Sequence, residues 1–150
     1  MNTENNIIGL WSEELDSYDG THIAFRDDGT GLLSWALFER GILDTFNWTL
    51  EDGVVSIEGT NKYTIEDMKV IRAEKSDIVL KNINIKLFKA KSENGEDIDA
   101  VEFSEPICEC ANNSFWLFTK NINDCDYYTE LEKAILEEVS KNKSVDLLPE

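Results

Sequence analysis

The sequence holds one histidine, two prolines and three cysteines, and no apolar run in it approaches the length of a bilayer span. Each scarcity removes a class of protein. Nucleophilic hydrolases need an imidazole held beside a hydroxyl or thiol. The only candidate is His22, which lies in an alternating stretch between Thr21 and Ile23, on the face expected to meet solvent. No nucleophile elbow, phosphate-cradling glycine loop or dinucleotide fingerprint is present. No catalytic residue is therefore expected. Cys108, Cys110 and Cys125 are odd in number and match no disulfide framework. Together with His22 they form at most an irregular Cys₃His set without paired Cys-x-x-Cys knuckles, so free thiols are expected, with no metal and no cofactor. Residues 1–6 lack the basic-then-apolar order of a signal peptide. The expected location is the reducing cytoplasm.

Bases are also few. Fourteen Lys and Arg stand against 31 Asp and Glu, for a formal charge of −17. That field repels nucleic acid and anionic membranes, so neither is an expected partner, and it steers basic proteins inward. A solubility coat accounts for the same excess equally well. The acids fall in runs: Glu13, Glu14, Asp16 and Asp19; Asp27 and Asp28; Glu93, Glu96, Asp97 and Asp99. These are the candidate contacts for a basic partner. The last run is rich in oxygen donors but lacks the order of a calcium loop. Pairs such as Glu13-Glu14, Asp27-Asp28 and Glu137-Glu138 read as solvated faces rather than acid–base couples.

What is plentiful is core material and turns. Apolar residues make up 41% of 150, including four Trp, seven Phe and four Tyr, enough to bury one domain's core. Period-two alternation predicts strands at 7–12, 21–26, 31–38, 43–50, 54–58, 78–89, 98–103 and 114–119, with a short hairpin of 62–65 and 69–73 around Glu66-Asp67. Asp27-Asp28-Gly29-Thr30 and Glu51-Asp52-Gly53 carry the Asp-Gly chemistry of tight hairpin turns. Strand 31–38 is apolar on both faces, with Leu33, Trp35 and Leu37 opposite Leu32, Ala36 and Phe38, so part of it should be covered twice. Tyr128, Leu131, Ile135 and Val139 share a helical stripe and predict a helix over about 126–141. The whole chain reads as one mainly β domain: an antiparallel up-and-down barrel of eight to nine strands with one C-terminal helix.

Gly9-Leu10-Trp11 on the first strand resembles the Gly-x-Trp signature of the calycins, which include lipocalins and fatty-acid-binding proteins. Across 8–59, the order Trp, Asp-Gly-Thr, Asp-Asp-Gly-Thr-Gly and Phe-x-Trp is similar to that of small bacterial lipocalin-like proteins. The resemblance implies a closed barrel with Trp11 at one end and Lys120 packed over its ring as a cation–π partner. It also implies a small apolar ligand lined by inward residues such as Trp35, Phe46, Trp48, Ile57, Ile85 and Phe115. Size, charge, compartment and absence of catalytic groups fit a second class better. That class is the immunity protein, an acidic neutraliser that covers the active site of a basic toxin, such as a nuclease of contact-dependent growth inhibition. An intracellular lipocalin-like carrier of a hydrophobe is the alternative.

Overall fold

A computed structural model describes residues 7–13, 21–37, 40–92, 94–106 and 114–146, with the side chains of 36, 37, 40 and 139–146 left aside. Several expectations lie outside the described residues: those on Glu14, Asp16, Asp19, Phe38, Glu93, Cys108 and Cys110, and on the Val139 side chain.

Nine strands run in order: β1 (Gly9–Ser12), β2 (His22–Phe25), β3 (Thr30–Leu37), β4 (Arg40–Glu51), β5 (Val54–Glu66), β6 (Lys69–Lys75), β7 (Val79–Lys91), β8 (Asp97–Phe103) and β9 (Ser114–Thr119). A single 3₁₀ turn, Ile122–Asp124, then leads into the helix α1 (Asp126–Asp146). Every strand pairing is antiparallel. Eight strands close a ring, β1-β2-β3-β4-β5-β7-β8-β9 and back to β1, while β6 hangs on β5 beside it. This is the expected barrel, mainly β with one C-terminal helix.

β5 explains why a ninth strand lies off the ring. Its residues from Val54 to Glu58 pair with β7, its residues from Asn61 to Glu66 pair with β6, and β4 follows its other edge throughout. The strand thus runs out of the barrel wall and takes β4's first residues with it. Sequence reading divided this strand at Gly59, since glycine weakens strand propensity. The glycine is there for closeness instead: a Cβ on Gly59 would lie 2.2 Å from Ser76 Oγ. The β4–β5 turn has φ of 51° at Asp52 and 77° at Gly53. Such mirror-image turns match strand twist. The helix is longer than the expected 126–141 and reaches Asp146.

Two apolar layers hold the structure. Inside the barrel, Phe25 meets Phe46 and Trp48 edge-on, with ring centres 5.7 Å and 5.2 Å apart, and Phe103 meets Phe115 at 5.8 Å. Each such pair adds about 0.5–1.5 kcal/mol beyond area burial. Trp11, Phe46 and Trp48 are all buried, as expected. Gly31, opposite Phe46 in register, leaves room for that ring; a Cβ there would sit 2.4 Å from both Phe46 Cε1 and the Ala24 carbonyl oxygen. Outside the barrel, Leu10, Ala24, Leu32 and Leu43 form a second layer with Tyr63 and Ile65 of β5 and with Tyr128, Leu131 and Ile135 of α1. Residues 128, 131 and 135 recur at helical spacing, so one stripe covers the flank. β3 is indeed covered twice, with Leu33 facing the interior and Leu32 lying under the helix layer.

The same cover overturns the expectation for His22. It is 3% exposed, and its Nδ1 lies 2.5 Å from the Tyr128 hydroxyl. Alternation in β2 was right about which face His22 takes. It had no means of showing that a helix 106 residues further along closes that face.

Candidate functional site: the turn-bearing end of the barrel

Strand direction decides which turns meet. In an alternating antiparallel ring, the β2–β3 turn, the β4–β5 turn, the β7–β8 tip and the β9–α1 connection belong to one end. Those segments carry exposed carboxylates at Asp27, Asp28, Glu51, Asp52, Glu96, Asp97 and Asp124. Three of the end's bases are already matched: Arg26 with Glu132, Lys89 with Asp99 and Lys91 with Asp97. The last two are cross-strand partners in the β7–β8 register. Among the described residues, Lys86 on the outer part of β7 and Lys120 are the end's remaining bases, and neither has an ion-pair partner.

The candidate interface residues therefore separate. Asp27, Asp28 and Glu96 come to this end exposed and unmatched by a base. Asp97 and Asp99 come to it neutralised. Glu13 lies past β1 at the opposite end, where its Oε1 accepts from the Thr21 N–H at 3.1 Å. Glu51, Asp52 and Asp124 were missed by reading for acidic runs. Their signal was the Asp-Gly turn, which placed Glu51 and Asp52 at a tip without naming them as contacts. Asp28 accepts from the Thr30 hydroxyl at 2.6 Å and the Thr30 N–H at 2.9 Å. These bonds hold its carboxyl below the ordinary 3.8, so its charge persists into acid.

The residues expected to line an internal ligand sit otherwise. Phe46, Trp48, Ile57 and Phe115 belong to the packed interior cluster, and Ile85 packs against it. Trp35 is half-buried on β3, opposite Ile42. Space opens instead at the acidic end. A cavity of about 360 Å³ is lined by Trp11, Leu87, Phe88, Lys89, Asp99, Ala100 and Lys120. A second, also about 360 Å³, is lined by Phe25, Arg26, Asp27 and the run from Lys120 to Asn123 together with Ile8. Lys120 belongs to both. Trp11 and Lys120 thus share a cavity wall, and the indole N–H donates to the Ile7 carbonyl oxygen at 2.8 Å.

Two buried polar groupings lie elsewhere. Tyr128 hydrogen-bonds His22 and Ser34, which face each other across β2 and β3; burial pushes its phenol well above its ordinary value. Asp44 accepts from Ser76 Oγ at 2.9 Å, and burial raises its carboxyl. Ser76 also takes the Ile78 N–H, so this pair pins the β6–β7 link against the barrel end. No member of either grouping lines the two cavities at the acidic end. Among the described residues no group of three or more His, Cys, Asp or Glu is placed to hold a metal, and Cys125 is a buried free thiol.

The fold and this end define a closed antiparallel barrel, sealed along one flank by its helix, with carboxylates presented on turns at one rim. Comparison with protein-family models, curated proteins and solved structures finds no match to the chain. No helix among the described residues is long and apolar enough to cross a membrane.

Proposed function

We propose that this chain is a non-catalytic binding protein that uses its acidic rim to engage a basic protein, and that it acts as the cytoplasmic immunity protein of a basic toxin domain, a nuclease in the first instance. One observation carries the reading: Asp27, Asp28, Glu51, Asp52 and Glu96 stand exposed on the turns of a single end, where Arg26, Lys89 and Lys91 are already paired and, among the described residues, Lys86 and Lys120 are not. Carboxylates on the turns of a rigid scaffold are placed to mimic a phosphate backbone and to speed encounter with a cationic surface. The rings packed through the barrel's centre favour a surface function over a carrier that holds its cargo there. The resemblance to calycins then concerns the scaffold rather than the cargo.

The test is capture of a partner from the native source by the tagged protein, at low and at moderate salt. The expected partner is basic, is released by salt, and is toxic when expressed without this chain. A variant carrying D27N, D28N, D52N and E96Q should lose it, whereas one neutralised on the helix at Glu130 and Glu137 should keep it. An acidic or neutral partner, or equal binding by the rim variant, overturns the reading.

A further inference from the structure

We propose that the cavity beside Trp11 is a binding site for a small organic anion with an apolar body, its charged group anchored by Lys120. This site lies at the same end as the acidic rim, with Lys120 in the neighbouring cavity that Asp27 also lines, but the proposal does not depend on the rim's protein contact.

The cavity exists because two strands part. β8 and β9 pair over Ala100–Glu102 and Ser114–Trp116, and beyond Trp116 the β9 strand pairs with β1 instead. β7 likewise leaves β5 at Asn84 and continues with β8 alone. The outer part of the β7–β8 hairpin is therefore joined to the barrel at its base, held together by the Lys89–Asp99 and Lys91–Asp97 pairs. Trp11 and Lys120 lie across the gap from Leu87 and Asp99. At about 360 Å³ the space falls within the range of small-molecule sites, roughly 300–1,000 Å³.

Its lining selects the ligand's chemistry. Leu87 and Phe88 offer partly exposed apolar surface, with buried Trp11 and Ala100 behind it. Lys89 and Asp99 neutralise one another. That leaves Lys120 as the uncompensated charge, on the wall shared with the neighbouring cavity. A carboxylate or sulfonate on Lys120 with a ring or chain towards Leu87 satisfies both kinds of surface. A neutral body of the same shape satisfies only one.

The probes are 8-anilinonaphthalene-1-sulfonate and N-phenyl-1-naphthylamine, which share an apolar body and differ by the sulfonate. Both are titrated by calorimetry into the full chain, with circular-dichroism melts as the control for folding. The expected result is one sulfonate probe per chain, bound about tenfold or more tighter than the neutral probe. Lys120→Met should weaken the sulfonate by about tenfold and leave the neutral probe and the melt unchanged, while Lys120→Arg should retain the sulfonate. Equal affinity for both probes overturns the proposal. So does undiminished sulfonate binding by Lys120→Met, since the probe would then sit elsewhere, and so does the absence of saturable binding.

Discussion

Replacing Tyr128 with phenylalanine should lower the melting temperature by several degrees, although it removes only one oxygen atom. The ring is fully buried beneath α1, and its hydroxyl serves both His22 and Ser34. Phenylalanine keeps the packing and strips a partner from two polar groups on the covered face of β2 and β3. Removing one partner of a buried hydrogen bond costs about 1–3 kcal/mol. Unfolding entropy near the midpoint is about 2.1 cal/mol/K per residue. For 150 residues that gives about 0.3 kcal/mol/K, so the loss corresponds to about 3–9 °C. Tyr128→Ala removes the ring as well and should cost about 3–5 kcal/mol, or about 10–16 °C. Scanning calorimetry measures both. The hydroxyl carries a second signature. Because burial raises its pKa, the folded chain holds this proton more tightly than the unfolded chain does. Stability is therefore unaffected by this group below the ordinary value of 10 and falls as pH climbs above it. A Tyr128→Phe variant that melts within about 1 °C of the parent would refute the account of the helix as a hydrogen-bonded seal.

Two further outcomes follow from single contacts. Asp44 is buried with a raised carboxyl pKa, so the folded state favours its proton and stability declines as pH rises past 3.8. Asp44→Asn keeps an acceptor for Ser76 and should flatten that decline, raising the denaturant midpoint at neutral pH; a lower midpoint at pH values where the carboxyl is charged would show that the charge is needed. Gly31→Ala forces a methyl group within 2.4 Å of the Phe46 ring and the Ala24 carbonyl oxygen, and should destabilise by about 1–3 kcal/mol in denaturant unfolding. An unchanged midpoint would mean that the β3–β4 pair opens freely.

The strand order was largely legible because alternation and turn chemistry are local. Leu33 against Leu32 already showed that β3 is covered twice, and Asp52-Gly53 marked its turn. What escaped was set at long range. The flank that hides His22 is made by a helix far along the chain, so the histidine's spacing alone read as solvent-facing. The continuity of β5 through Gly59 depends on Ser76 needing the space that a Cβ would fill. Acidic runs were visible as sequence, but pairing is a matter of register: Asp97 and Asp99 looked like free contacts until β7 set Lys91 and Lys89 opposite them. Conversely, Glu51 and Asp52 gained importance from the end they share with Asp27 and Glu96.

Closure narrows where this molecule can recognise anything. A ring of eight strands uses the backbone edges that an open sheet would offer to a partner, and β6, beside the ring, keeps an unpaired edge among the described strands. The helix takes one flank, and the packed rings take the centre. Among the described residues, the ring's own departures from full pairing are then the informative places, and β8 and β9 part at the end that carries Asp27, Asp28, Glu51, Asp52 and Glu96. Loops and split strands on a rigid wall can vary in charge and shape while the pairing below keeps the barrel intact. The turn carboxylates and the cavity beside Lys120 thus share one end of the barrel, and the two proposals made for them are tested on a body whose pairing neither set of substitutions touches.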